Sequence, residues 1–270
     1  MLAWPAWLTV LLFVTNLLSL AALFFVTRRM LKLRRQKKRA FAFSDYPVRK
    51  AKLEEIAPCF AMSGYGPSPD SEVRFIGGEG VVSSLSDRES WVMAALAKGV
   101  KRVFEFGTCS GKTTHVLALN AAPDSEIFTL TLHPDDLAAT EFGFGDDREH
   151  RDIALSESSF ETFYYNGRSS ERHIRQIFSD SKSYNEAPLR GSVDLVFVDG
   201  AHTRSYVEND TRKALNMLAD EGVILWHDYK PGVPGVFAFL NELSRTLPLV
   251  HIADTDLVMY RRVRKQLSPA

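Results

Sequence analysis

Cysteine is nearly absent from this chain: Cys59 and Cys109 are the two in 270 residues. They form no CxxC pair and no zinc spacing, which excludes those redox and metal motifs and fits reduced thiols in a cytosolic setting. Acid is missing from the first 44 residues, and charge of either sign from residues 2–27. No internal repeat is present, so solenoid and propeller architectures are excluded. The overall formal charge of zero hides an asymmetry. Arg28, Arg29, Lys32, Arg34, Arg35, Lys37, Lys38 and Arg39 supply eight of the 33 basic residues, leaving 25 basic against 33 acidic residues from position 40 onward, a net of −8. Such an acidic domain does not favour nucleic acid, which needs clustered Lys and Arg for its phosphates.

What the first 27 residues do contain is Leu, Ala, Val, Phe and Trp, in a run long enough to cross a bilayer core of about 30 Å as a helix. A cleaved signal would show a basic start, a shorter apolar stretch and a small-residue cleavage site, none of which is clear. Residues 1–27 are therefore expected to be a transmembrane anchor. The basic cluster directly after it places the C-terminal domain in the cytoplasm by the positive-inside rule, with Trp4 and Trp7 at the opposite interface. Residues 28–85 are expected to be a basic juxtamembrane segment and a linker with short helical pieces, because Pro47, Pro58, Pro67 and Pro69 punctuate them together with five glycines.

Order is expected to resume at Ser86, where Ser-Asp-Arg-Glu reads as a capping box before Trp91, Val92, Ala95 and Leu96 at helical spacing, with Gly99 as the stop. Apolar runs predict strands at 103–106, 127–132, 174–178, 193–198, 223–226, 249–252 and 257–261. The helix after Val198 turns Val207, Ala214, Leu215 and Leu218 toward the sheet and Glu208, Asp210, Arg212 and Lys213 outward. A polar, aromatic-sprinkled stretch from His133 to Arg172 is too long for an ordinary connection and is expected to hold a helix and a loop covering a site. This alternation predicts an α/β, doubly wound, mostly parallel seven-stranded sheet over residues 86–270, with an antiparallel edge.

The most informative stretch is VFEFGTCSGKTT, Val103 to Thr114, a strand running through an acid into a glycine turn that opens a helix. Backbone amides and a helix N-terminus converge on a ligand at such a turn. A P-loop needs four residues between its glycines and here Gly107 and Gly111 enclose three; a dinucleotide fingerprint needs glycine where Cys109 stands. What remains, Glu-x-Gly-x-x-x-Gly from Glu105 to Gly111, resembles motif I of class I S-adenosylmethionine (SAM) dependent methyltransferases. The segment 193–229, VDLVFVDGAHTRSYVENDTRKALNMLADEGVILWHDY, is similar to the corresponding part of the catechol- and macrocin-type O-methyltransferase-like enzymes: a strand ending Asp-Gly-x-His, a helix, a glycine turn and a strand ending His-Asp. The resemblance runs from about Ser86 to Arg262.

The resemblance implies a Rossmann-like methyltransferase fold that binds SAM, often with a divalent metal such as Mg²⁺ assisting O-methyl transfer to a small-molecule or lipid-linked hydroxyl. The implied cofactor-binding set is Glu105, Gly107, Thr108, Ser110, Gly111, Thr113, Asp180 and Ser181, with Asp180 placed for the adenine amino group. Asp199 and Asp228, at the ends of neighbouring strands, match metal-ligand positions. His202 matches the base. His227 falls where the macrocin branch has an acidic ligand, so a third ligand is left open. A departure occurs at Thr131, where the family has an acid for the ribose hydroxyls; Asp135 or Asp136 would have to substitute. Thr131 and His227 also leave open a catalytically degenerate methyltransferase-fold binding or scaffold module at the membrane. Independently of any family, methyl transfer to a hydroxyl needs alignment with the sulfonium methyl and a base or cation for the acceptor, which paired strand-end carboxylates and a nearby imidazole supply.

Overall fold

The computed structural model describes residues 5–42, 46–82, 85–139, 143, 146 and 148–263, and the chain divides into two units between Tyr46 and Pro47. The first is a single helix, α1 (Ala6–Ala42). Its stretch Val10–Lys32 is long and apolar enough to cross a membrane, about 35 Å at 1.5 Å per residue. The helix does not stop at residue 27 but continues through the basic cluster expected to be juxtamembrane linker. Lys, Arg, Leu and Met are strong helix formers, and no proline or glycine interrupts them before Pro47.

The second unit begins with β1 (Arg49–Ala51), α2 (Leu53–Ile56) and a two-stranded hairpin, β2 (Met62–Ser63) and β3 (Gly66–Pro67). It continues through α3 (Asp87–Ala97), β4 (Arg102–Phe106), α4 (Lys112–Asn120), β5 (Glu126–Thr131), α5 (Arg148–Glu157) and β6 (Ile174–Phe178). After these come β7 (Val193–Val198), α6 (Arg204–Met217), β8 (Leu218–Trp226), α7 (Pro234–Leu243), β9 (Val250–Ile252) and β10 (Val258–Arg261). The main sheet has the order β1-β9-β10-β8-β7-β4-β5-β6, parallel except for β10, which runs antiparallel to both its neighbours. It has eight strands where seven are expected.

The added strand comes from the segment read as linker: β1 pairs in parallel with β9, Arg49 opposite Val250. Ala51, Leu53, Ile56 and Phe60 are buried in the core beside it, and the Trp91 ring meets Phe60 edge-on at 5.3 Å while its Nε1 donates to the Ser71 carbonyl at 2.8 Å. The compact domain therefore starts near residue 47 rather than 86. Its first strand is too short, and too crowded by proline and glycine, to show a period of two.

Two apolar layers enclose the sheet. Val103, Leu117, Ile127, Leu195 and Phe197 pack with α3 and α4 on one face, and Phe104, Phe106, Val196, Ile224 and Trp226 with α6 and α7 on the other. Each side chain of this size contributes about 1.5–3 kcal/mol on burial. The Ser86 capping box forms, with Glu89 N donating to Ser86 Oγ and Ser86 N to Glu89 Oε2 at 3.0 Å. From β4 the chain moves outward through α4 to β5 and then β6, and returns on the other side of β4 as β7. Connections diverge at the carboxyl ends of β4 and β7, and this reversal opens a crevice there.

Candidate active site

The turn after β4 is built around a contact that admits no side chain. Gly107 has φ +96°, and a β-carbon on it would lie 2.1 Å from the Asp199 carbonyl oxygen. Main-chain bonds lock this approach: Gly107 N donates to Leu130 O at 2.8 Å, and Asp199 N to Phe106 O at 2.9 Å. Cys109 also takes a left-handed conformation, φ +45°. Glu105, fully buried behind the turn, accepts from Thr114 Oγ1 and, at 2.6 Å, from Thr129 Oγ1, so it ties the start of α4 to β5. Its other oxygen has no partner among the described residues, and burial pushes its pKa up to about 8 despite those two hydroxyls.

A cleft lies over the turn. Gly107 and Cys109 after β4, Leu130, Thr131 and Leu132 at the end of β5, Ser179, Asp180 and Ser181 after β6, and Asp199, Gly200 and Ala201 after β7 line it. Tyr206 and Asp210 of α6 close one side; Ala154, Leu155 and Glu157 of α5 with Ser158 close another. The helix within the long 133–172 stretch therefore does cover a site, and Asp146 braces its approach by accepting from Ser205 N and Ser205 Oγ. Of the implied cofactor residues, Gly107, Asp180 and Ser181 line the cleft. Glu105, Thr108, Ser110, Gly111 and Thr113 frame the turn and do not. Thr131 is on the wall as expected, but Asp135 and Asp136 are not; the Asp135 side chain is 89% exposed beside His133, and the carboxylate brought to the wall from this stretch is Glu157.

The outward assignment of Asp210 and Lys213 is corrected, for both are buried, at 1% and 2% exposure. The segment 181–184 lies across α6, and Lys213 Nζ satisfies its carbonyls at Ser181, Lys182 and Tyr184. Burial pushes Asp210 up to about 6, opposed by the Ser181 hydroxyl, Asn209 and Lys213.

Beside the cleft, strand ends and helix starts gather a charged cluster. His202 stands between the two aspartates expected to converge on one point: Nε2 is 2.9 Å from Asp228 Oδ2 and 3.8 Å from Asp199 Oδ1. His227 Nδ1 donates to Asp199 Oδ1 at 3.1 Å, and its Nε2 lies 3.6 Å from Glu89 Oε2. Lys230 Nζ bridges Asp228, at 2.5 Å, and Asp256, at 3.0 Å. Burial opposes charge here, yet pairing wins. The two aspartates raise His202 to about 10 and His227 well above its ordinary value, and the His202 and His227 rings hold Asp228 below the usual carboxylate range. Glu89, against the same burial, is held down to about 2 by His227, Ser86 and the Asp256 amide. Gly235 makes the arrangement possible from the far side: a β-carbon there would lie 2.4 Å from the His202 carbonyl, so α7 starts directly against the 202–204 loop.

The donor set fits a divalent cation and supplies a candidate for the ligand that the resemblance leaves open. Ligand atoms of Asp199, His202 and Asp228 lie within 4.8 Å of one another, so the third candidate donor is His202 itself rather than His227, whose ring is committed to Asp199 and Glu89. Sequence reasoning missed Glu89, Asp210 and Lys230. Glu89 is visible there only as a helix cap, Asp210 sits in a charged run that reads as solvent-facing, and Lys230 belongs to no motif.

Residues 104–229 match the family model described as a methyltransferase domain. No curated protein matches the chain. Among solved structures, the O-methyltransferase TomG from Streptomyces achromogenes, involved in tomaymycin synthesis and in complex with SAM, is 16% identical, with 67% of this chain and 81% of that one covered and a TM-score of 0.43. Cofactor-bound Rv0187 from MTB is 15% identical, over 73% of this chain and 85% of that one, with a TM-score of 0.43. Similarity that slight adds no argument. The glycine turn and the Asp-Gly-Ala-His strand end, which resemble those of class I SAM-dependent O-methyltransferase-like enzymes, both lie inside the stretch 104–229 that matches the methyltransferase-domain model.

Proposed function

We propose that this chain is a SAM-dependent methyltransferase that methylates a hydroxyl of a small or lipid-linked acceptor, held at a membrane by α1 with its catalytic domain on the cytoplasmic side. The observation that carries this reading is the sharing of Asp199: it lines the cleft over the glycine turn and also belongs to the cluster with His202 and Asp228. A donor in the cleft would present its sulfonium methyl next to a group able to manage a proton. The acceptor oxygen attacks the methyl carbon, the carbon–sulfur bond breaks, and S-adenosylhomocysteine leaves as the neutral thioether. His202 is the base in this proposal: Nε2 faces both aspartates, which favour its protonated form, so it receives the hydroxyl proton only in the state in which that nitrogen has first given its own proton up. Bound at Asp199 and Asp228, a divalent cation would supply positive charge that compensates both carboxylates and acidifies the acceptor hydroxyl. Asp199 and Asp228 are its holders in this proposal, with His202 within reach.

Isothermal titration with SAM and S-adenosylhomocysteine tests the reading. Saturable heat is expected from both, and silence at high concentration sinks the donor site. A second reading, a membrane-tethered module without turnover, is motivated by Thr131 standing on the cleft wall in place of an acid. It wins if the cofactor binds while Asp199→Ala and His202→Ala leave every measured turnover unchanged.

A further inference from the structure

The charged cluster holds a cation that the proposed methyl transfer leaves without a part. Lys230 places Nζ 2.5 Å from Asp228 Oδ1 and 3.0 Å from Asp256 Oδ2. Asp228 Oδ2 faces His202 Nε2 at 2.9 Å, so each oxygen of this carboxylate already meets a basic group of the protein. The two neighbours differ in kind. An imidazole loses its charge with its proton, whereas an ammonium keeps its charge throughout the physiological range.

The carboxylates are fixed and the lysine is not. Asp256 lies in the turn between β9 and β10, where its amide donates to Glu89 Oε1 at 2.7 Å and its carbonyl accepts from Tyr229 N at 3.0 Å. Asp228 is held as firmly: it takes a left-handed φ of +58°, and its carbonyl accepts from Lys230 N at 2.7 Å. The Lys230 side chain, in contrast, is 43% exposed, against 12% for that of Asp228. An ammonium on a flexible stem at the solvent edge can leave one carboxylate for the other at little cost, since it keeps an ion pair and gains water. A divalent cation held at Asp199 and Asp228 brings charge of the same sign, and like charges sharing one carboxylate repel strongly in a partly buried site.

Resting on the cation holders named above, we propose that Lys230 is a built-in counter-cation of Asp228 that competes with a divalent ion, and that Asp256 is its alternative seat. With the ammonium on Asp228, that carboxylate is compensated without metal. With the ammonium withdrawn to Asp256, Asp228 Oδ1 is released. The pair thereby sets how tightly the cluster takes a metal.

The test is titration of the full chain in detergent with Mn²⁺, the unbound ion being read by its electron paramagnetic resonance signal. Wild type is compared with Lys230→Met, Lys230→Arg, Asp256→Asn and the variant combining Lys230→Met with Asp256→Asn. Lys230→Met is expected to bind Mn²⁺ at least about tenfold more tightly than wild type. Lys230→Arg, which keeps the charge, should stay within about threefold of wild type. Asp256→Asn strands the ammonium on Asp228 and should weaken Mn²⁺ binding about threefold or more, yet change it less than about twofold in the Lys230→Met background; independent charge effects would instead add. A cooperative melting transition without Mn²⁺ shows which variants are folded. Equal Mn²⁺ affinity in wild type and folded Lys230→Met, or additive effects in the combined variant, overturns the proposal. If Lys230→Met does not fold, unchanged or tighter Mn²⁺ binding by Asp256→Asn overturns it instead. Mn²⁺ bound by none of them removes Asp199 and Asp228 as metal holders, and this proposal with them, a result distinct from binding that ignores residue 230.

Discussion

Gly107 has no room for a methyl group, and its main chain is held between β5 and the Asp199 strand end. Gly107→Ala must push the two strand ends apart in a conformation that L-residues disfavour. We expect a loss of about 3 kcal/mol in urea unfolding, together with loss of S-adenosylhomocysteine binding. Glu105 gives a prediction in pH. In the folded chain it keeps its proton up to about 8, against an ordinary value of 4.5. The unfolded chain therefore binds fewer protons across that window, and stability contributed by this residue falls as pH rises from 4.5 to 8. Glu105→Gln, which keeps the hydrogen-bonding shape without the charge, should raise the melting temperature at pH 8 more than at pH 5; an equal shift at both would contradict the buried, reluctant acid. At the cluster, His202→Ala should lower turnover about 10²-fold or more while leaving S-adenosylhomocysteine affinity within about threefold, because the ring lies outside the main cleft. Equal losses in both measurements would make His202 a structural prop.

At the level of elements, legibility followed apolar runs. β6 and β7 lie where Ile174–Phe178 and Val193–Val198 read as strands, and α3 starts where its capping box says it must, since these signals are local and unbroken. β1 was opaque: three residues, two of them charged, acquire strand character only by pairing with a segment near the other end of the chain. The same blindness hid Asp210 and Lys213, because a helical period assigns faces by polarity and cannot foresee a loop that lies across the polar face to be satisfied by it. Of the site, the glycine turn and the two strand-end aspartates were readable, whereas the wedge of His202 between them and the support from Glu89 and Lys230 depend on packing of α3 and α7. Glu89 serves at once as the cap of α3 and as the partner of His227 and of the Asp256 amide, which it accepts from at 2.7 Å. Glu89→Ala is expected to destabilise the domain by about 1–2 kcal/mol and to lower turnover, with Glu89→Gln recovering most of the stability and less of the activity. Full recovery of activity by the glutamine would remove the electrostatic role.

For the whole molecule, the division between Tyr46 and Pro47 makes a sharp prediction. A chain shortened to 47–270 should fold, leave the membrane fraction and bind S-adenosylhomocysteine with full-length affinity, whereas one starting at 86 should lose Phe60 and β1 from the core and precipitate or melt much earlier. Soluble, well-folded behaviour of the shorter form would show that 47–85 is dispensable. The pairing of Arg49 with Val250 has a further consequence, in time rather than space. About 200 residues separate these partners, so the first strand to leave a ribosome is the one that must wait longest for its neighbour. Until β9 is made, β1 has no strand to pair with, and the closing step joins the two ends of the domain late, at a slow rate set by that separation. Native-state hydrogen exchange should find this outer strand the earliest part of the sheet to open.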